Sequence, residues 1–421
     1  MRRYIHKVKL TLWVLVVGFS IDQVWGIELP GDFNMDVGMA FDWVGQRYRL
    51  SDQDTLDQFD ETTFSMVFGY GGGAEKGLGV QNKVALSDRS VKNLLTGTWS
   101  TAIFRDAQVR LENQLEFKEY WWQGEDLFGS SYAEDRFRVD GLWPLGSSLR
   151  LGTEQRLSYV NYEKNSSYFR DYWFSQSRVS LEAELDWMWD LVFDYAFARR
   201  DVPDSSGMDY VNHSLVSTLS GLMGWNLHLR LDTRLERRIS ARQQGRQDYL
   251  SLAGQSDIEY QLGSRLSLVF RGELEQMAYD HPDEVYYDYW LASGKLGLSR
   301  YFSPVVTVAL LPAYNRSKAA GTSIGETYDQ MGIELGVDYS GTGRLWASLT
   351  IELGFRNYEE THEESFYSGY TYFHPTLLLT YRLTDEISLD LFADHDPEWH
   401  KHKEDDFTTS LLSCSLSYRL P

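Results

Sequence analysis

One cysteine, Cys414, in 421 residues excludes any intramolecular disulfide. Nothing staples the chain, so its stability must come from packing and hydrogen bonding. Long hydrophobic runs are missing as well: the longest, Leu10 to Ser20, falls short of the roughly 20 apolar residues that a helical membrane span needs. The mean hydropathy of −0.40 excludes a bundle of membrane helices but not a structure in which half of every spanning segment is polar. Basic residues are few beside acidic ones, 40 against 61, and the resulting formal charge of −21 argues against nucleic acid as a partner. No nucleophile elbow, no His-Glu-x-x-His and no phosphate-binding loop is recognised, so nothing points to a catalytic residue, and enzyme activity is not expected.

The apolar run follows Arg2, Arg3, Lys7 and Lys9 and is succeeded by Val24-Trp25-Gly26, which reads as a secretory signal peptide over residues 1–26. Its removal takes away four basic residues and one acidic one and moves the formal charge to −24. An uncleaved anchor helix is the alternative. The remainder, 27–421, reads as one domain.

What that domain has in abundance is alternation. From Trp225 to Arg238 the odd positions are Trp225, Leu227, Leu229, Leu231, Thr233 and Leu235, and the even ones are Asn226, His228, Arg230, Asp232, Arg234, Glu236 and Arg238. Period two places the apolar side chains on one face of a strand and the charged ones on the other. The same pattern runs over Phe33 to Trp43, over Val109 to Trp121 and in the segment that sets Arg271, Glu273 and Glu275 against Leu268, Phe270 and Leu274. Segments near 78–86 and 91–104 are less regular and read as strands from their context. Gln46 to Glu61 and Gln123 to Asp135 read as loops.

Alternating segments of about 10 residues, short turns interleaved with longer polar loops, and aromatics crowding the strand ends (Trp121, Trp122, Trp143, Trp173, Trp187, Trp189, Trp225, Tyr301, Tyr339 and Tyr381) together resemble a bacterial outer-membrane β-barrel, porin-like in architecture. A soluble propeller or sandwich would also alternate, but its outward face should be the polar one. The expected fold is all-β: a single transmembrane antiparallel up-and-down β-barrel of 18–20 strands, with short periplasmic turns and longer extracellular loops. Leu412, Cys414, Leu416, Tyr418 and Leu420 resemble the C-terminal signal read by the barrel assembly machinery. The chain departs from that signal by ending Arg419-Leu420-Pro421 rather than on an aromatic residue. No single family of porins, transporters or secretion channels is matched residue by residue.

The resemblance implies a bacterial outer-membrane location, contact with membrane lipid and lipopolysaccharide, and room for an oligomer. Function should lie on the polar face. The lumen- and solute-facing positions are Arg110, Glu112, Glu116, Arg150, Arg156, Arg178, Glu182, Arg230, Asp232, Arg234, Glu236, Arg238, Arg271 and Glu273. In a water-filled pore, charges of both signs select solutes. They can equally hold the wall together in cross-strand pairs. Arg230, Arg234 and Arg238 form the strongest basic run and are expected to pair with carboxylates on neighbouring strands.

Asp394 to Glu404 is rich in His and carboxylates but interleaved with lysines, and reads as a solvated outer loop rather than a metal site. Asp52, Asp54 and Asp57 lack the glycine and terminal glutamate of a calcium loop and read as part of an acidic rim. No metal or other cofactor is expected. With no plug domain evident at either end of the sequence, the leading expectation is a channel passing hydrophilic solutes or a secreted polymer. The alternative is a non-conducting barrel acting as an adhesin, assembly partner or structural element.

Overall fold

The computed structural model describes residues 33–420, apart from 51–52, 72–76, 88, 104–106, 121–129, 164–169, 187, 204, 241–247, 284–285, 321–326, 342 and 360–367. The proposed signal peptide, Trp121, Trp122, Trp187 and Asp52 lie outside the described residues. Within them the chain forms β1 (Phe33–Leu50), β2 (Gln53–Gly71), β3 (Gly77–Ser87), β4 (Ser90–Ala102), β5 (Gln108–Tyr120), β6 (Tyr132–Pro144), β7 (Leu149–Tyr162), β8 (Tyr172–Asp186), β9 (Trp189–Asp201) and β10 (Tyr210–Met223). The second half comprises β11 (Leu227–Ser240), β12 (Tyr249–Gly263), β13 (Leu266–Tyr279), β14 (Tyr289–Ser303), β15 (Val306–Ala319), β16 (Tyr328–Ser340), β17 (Leu345–Tyr358), β18 (Tyr370–Arg382), β19 (Ile387–His400) and β20 (Phe407–Leu420).

Every strand pairs antiparallel with its neighbours in sequence, and β1 pairs with β20 from Met35↔Leu420 to Tyr48↔Phe407, closing the ring. Closure leaves no edge, so every strand has a ladder partner on both sides. A ring of this size is too wide for side chains to fill. Accordingly, only nine apolar residues are buried among those described, and the largest fully buried apolar one is Leu311. Substantial contacts between elements run only from each strand to the next, apart from the short 3-10 turns at 206–208 against β9 and at 403–405 against β19 and β1.

Three sequence expectations are corrected. Gln46 to Glu61 is not a loop, because β1 and β2 stay paired as far as Leu50↔Gln53. The side chains of Asp54 and Asp57 lie outside the described residues. Strand β6 begins at Tyr132, inside the expected loop Gln123 to Asp135. The outer loop expected over Asp394 to Glu404 is strand as far as His400, held by the ladders to β18 and β20.

From β5 onward the two rims differ. Connections at one rim are short (145–148, 187–188, 224–226, 264–265, 304–305, 341–344 and 383–386), and those at the other are longer (121–131, 163–171, 202–209, 241–248, 280–288, 320–327, 359–369 and 401–406). The longer connections share a clasp. Except before β18, where Gly369 has no side chain, the residue just before the following strand uses its side chain to accept a backbone N–H at the end of the strand behind: Ser131 from Tyr120 (3.1 Å), Asp171 from Tyr162 (2.8 Å), Asp209 from Val202 (2.6 Å), Asp248 from Ser240 (2.6 Å) and Asp288 from Tyr279 (2.7 Å). Thr327 does the same for Ala319 (3.1 Å) and Asp406 for His400 (2.8 Å). The backbone carbonyls of Asp248 and Asp288 take the N–H of Asp280 (3.0 Å) and Ala320 (2.7 Å) from the next hairpin. At these two loops one residue thus ties together three strands.

Replacing Asp248 or Asp288 by Ala removes an acceptor of one backbone N–H and should lower unfolding stability by about 1 kcal/mol. Asn at either position should recover most of it. Urea unfolding of the refolded barrel, read by heat-modifiable gel mobility, checks both.

Candidate functional site

Strand alternation divides the barrel into two surfaces. Leu231, Leu252, Leu274, Leu296 and Leu353 are exposed on one of them. On the other, Arg271 of β13 reaches Glu334 of β16 at 3.7 Å, and Lys295 of β14 reaches Glu352 of β17 at 3.3 Å. A side chain can pass over two intervening strands in this way only on the concave side of a ring. The ionic surface therefore faces inward and the leucine surface outward. Trp173, Trp290 and Trp399 stand outward at the long-loop rim, and Trp143, Trp189, Tyr339 and Tyr381 at the short-turn rim, which gives the outer wall an aromatic girdle at each end.

All fourteen lumen positions expected from the sequence lie on the inward surface. Several pair across strands: Arg150 of β7 contacts Glu184 at 2.9 Å and Glu182 at 4.0 Å on β8, and Arg178 donates to both oxygens of Asp194 on β9 at 3.0 and 2.7 Å. Glu116 joins Lys92 of β4 at 2.8 Å and accepts the hydroxyl of Tyr132 of β6 at 2.5 Å. Arg271 adds Asp257 of β12 at 3.8 Å, and Glu273 accepts Gln255 Nε2 at 3.4 Å. Arg156 lies over the Phe174 ring at 5.7 Å.

The arginine run departs from expectation. Arg230 pairs with Asp232 at 2.8 Å and Arg234 with Glu236, both two residues along the same strand, and Arg110 does likewise with Glu112 at 2.7 Å. Residues i and i+2 share a face about 7 Å apart, within the reach of a guanidinium. The cross-strand neighbours of Arg234 are Val216 and Ala253, which offer no carboxylate. Arg238 joins a different structure, a collar of inward tyrosines at the long-loop rim. It lies over Tyr210 at 4.1 Å, as Arg200 lies over Tyr172 at 4.2 Å and Arg356 over Tyr328 at 4.1 Å. Each arginine is in register with the tyrosine of the following strand (Tyr210, Tyr249 and Tyr370) and so stands between two rings.

These tyrosines were not among the expected site residues. Their signal was present nonetheless: Tyr132, Tyr172, Tyr210, Tyr249, Tyr289, Tyr328 and Tyr370 recur every 38 to 42 residues, the length of one hairpin, and each opens an even-numbered strand. Tyr132, Tyr249 and Tyr289 donate to Glu116, Glu236 and Glu275 of the preceding strand at 2.5, 2.6 and 2.8 Å.

The densest part of the inward wall runs from β13 to β19. Lys295 Nζ sits between Glu334 at 2.5 Å and Glu352 at 3.3 Å, and Tyr372 donates to Glu352 at 2.8 Å. Gln330 donates to the Tyr372 hydroxyl at 2.8 Å and receives Arg356 Nε at 2.9 Å. Tyr372 can lie along the wall because its register partner on β17 is Gly354, whose own partner on β16 is Gly332: a Cβ built on Gly332 would stand 2.7 Å from the Tyr372 hydroxyl, and one on Gly354 would clash with the ring. A recess of about 400 Å³ opens beside this cluster, reaching His374, Asp396 and Glu398.

The His- and acid-rich segment is divided by its strand. Asp394, Asp396, Glu398 and His400 point inward, with Asp394 2.7 Å from His374 Nε2, while His395 points outward to Ser410 at 2.7 Å. No group of three or more His, Cys, Asp or Glu among the described residues is arranged to hold a metal ion. His213 and Ser214 fall on opposite faces of β10, with His213 Nδ1 2.8 Å from the Tyr195 hydroxyl on the outer wall, so they form no catalytic pair. Gly321 to Gly325 does spell Gly-Thr-Ser-Ile-Gly, the letters of a nucleophile elbow, but lies outside the described residues. The next element in the chain is strand β16, where an elbow requires a helix.

No protein-family model matches the chain, and no curated protein matches it in sequence. Solved structures do match in shape. The siderophore receptor PirA from Acinetobacter baumannii aligns over 94% of this chain and 81% of its own, with a TM-score of 0.57 at 8% identity. PirA from Pseudomonas aeruginosa covers the same shares, with a TM-score of 0.55 at 9% identity. A mutant of the ferric enterobactin receptor PfeA from Pseudomonas aeruginosa aligns over 91% and 80%, with a TM-score of 0.54 at 9% identity. At such identities the likeness is one of fold, and that fold is the closed β-barrel of bacterial outer-membrane proteins.

Proposed function

We propose that this barrel is an outer-membrane channel that passes hydrophilic solutes through a charged lumen. One observation carries the reading: the ring of 20 strands encloses an ionic inner surface and, among the described residues, almost no buried apolar side chains, which is the composition of a wall facing water. The shared fold with siderophore receptors agrees with transport across that membrane. Strand β20, apolar outward at Leu412, Cys414, Leu416 and Tyr418 and serine-rich inward, is the segment offered to the barrel assembly machinery. The outer leucines and aromatic girdles are offered to lipid and lipopolysaccharide.

Selection in such a channel rests on wall charge. Arg110, Arg150, Arg178, Arg230 and Arg234 are held beside carboxylates and stay about half-exposed, Arg230 at 56% and Arg234 at 57% of the side chain. They can therefore meet a passing solute while paired.

Purified, refolded protein in planar bilayers should give stable single-channel currents in KCl. The absence of current from heat-modifiable barrels would overturn the channel and favour a closed structural or adhesive barrel. Arg230→Ser with Arg234→Ser removes two cations and uncovers Asp232 and Glu236. The reversal potential in a KCl gradient should then move towards cation preference, with a modest loss of stability, because both arginines are more than half exposed and buried Glu236 keeps the hydroxyl of Tyr249. An unchanged reversal potential with a clearly less stable barrel would assign these arginines to wall pairing alone.

A further inference from the structure

The outward wall differs from one side of the ring to the other. On β15 to β17 its middle presents Leu310, Ile333, Leu335, Ile351 and Leu353, joined in register from strand to strand. Where hydroxyls interrupt the apolar surface, on β10 to β13, a neighbour satisfies them: Ser217 bonds Thr233 at 2.8 Å, and Ser256 donates to the Gly272 carbonyl at 3.5 Å. His213 and His395, nearer the long-loop rim, each meet a hydroxyl, that of Tyr195 at 2.8 Å and that of Ser410 at 2.7 Å.

From β3 to β8 the outward side carries amides instead, at Asn82, Asn93, Asn113 and Gln155. Asn113 is the sixth of thirteen residues in β5 and Gln155 the seventh of fourteen in β7, so both lie at mid-wall. Asn113 Nδ2 donates to Asp135 of β6 at 2.9 Å, and Gln155 Oε1 accepts the hydroxyl of Ser177 of β8 at 2.5 Å. These bonds leave both N–H groups of Gln155 Nε2, the Asn113 Oδ1 and one oxygen of Asp135 without a partner among the described residues. Acyl chains offer neither donor nor acceptor, so amides presented to them cost free energy that a second protein surface restores.

Shape singles out the same place. Gly97 of β4 is in register with Asn113, and a Cβ built on it meets nothing within 4 Å. Glycine inside a strand gives up side-chain packing, and here it leaves a notch beside the amides where another backbone can approach. Leu95, Trp99, Phe117, Phe137 and Leu157 stand exposed around the notch, an apolar border about a polar centre.

We propose that the outward wall of β4 to β8 is an interface between two copies of this chain in the membrane, related by a twofold axis, with Gln155 of each copy donating to Asn113 and Asp135 of the other. The occupant follows from the chemistry of the face. Unspent donors on β7 and unspent acceptors on β5 and β6 share one surface, so a half-turn lays each set on the other. Each copy keeps its own closed ring, and the pairing holds whether or not the lumen conducts.

Analytical ultracentrifugation of the refolded full chain in density-matched detergent should find two chains per particle. Asn113→Leu with Gln155→Leu should reduce this to one chain per particle while heat-modifiable mobility is retained, and Ser217→Leu with Thr233→Leu should leave the pair intact. If the first variant does not fold, Asn113→Cys with Gln155→Cys in a Cys414→Ser background tests the same contact. Two strand spacings separate these positions by about 10 Å within one copy, too far for a disulfide, so oxidation in proteoliposomes should give a covalent dimer. Leu335→Cys, on the apolar wall at β16, should give none. One chain per particle in the wild type means that lipid alone covers this wall and overturns the interface, as would an intact pair in the leucine variant or equal cross-linking from position 335. Three chains per particle would overturn the twofold arrangement.

Discussion

Backbone hydrogen bonding in hydrocarbon is the constraint on which the rest of this structure depends. An N–H or C=O facing lipid has no water to turn to, and an unpaired one costs several kcal/mol, so a sheet in a membrane must close on itself. Here closure is the ladder between β1 and β20. Once the ring is shut, side-chain alternation has only one consistent assignment. Leucines and girdle aromatics go outward, and the charged ladder goes inward, where it encloses water rather than a packed core.

The inward surface then has to manage many charges of both signs on a rigid lattice. It does so by local pairing wherever the lattice permits. Arg230 and Arg234 use acids on their own strand, Arg178 and Arg150 use the next strand, and Arg271 and Lys295 converge on Glu334. At the long-loop rim the means change from ion pairs to rings. Arginines stand between tyrosines and the clasp residues tie each loop foot to the strand behind it, so the mouth is held by contacts that repeat hairpin by hairpin.

Much of this was legible in the sequence because period two is a direct statement about faces. The alternation of Leu229, Leu231 and Leu235 with Arg230, Asp232 and Arg234, repeated on other strands, separates two faces. The expected range of 18–20 strands came from the turns between alternating runs, and the structure has 20. Polarity misled at Gln46 to Glu61 and at Asp394 to His400, because strands that continue beyond the hydrocarbon have no need of an apolar face, and ladder pairing alone keeps them extended. Pairing of the arginines was misjudged because the identity of cross-strand neighbours depends on register. Val216 and Ala253 beside Arg234 cannot be named from β11 alone. The tyrosine collar was readable as a recurrence over seven hairpins, whereas the recess was not, since it needs the registers of β13 through β19 together.

The assignment of faces is the claim on which every other one stands, and labelling tests it directly. In a Cys414→Ser background, single cysteines at 229 through 235 of β11 would be exposed to a charged, membrane-impermeant thiol reagent in proteoliposomes. The account predicts labelling at 230, 232 and 234 and protection at 229, 231 and 235. Uniform labelling, or protection of the even positions with labelling of the odd ones, would contradict it.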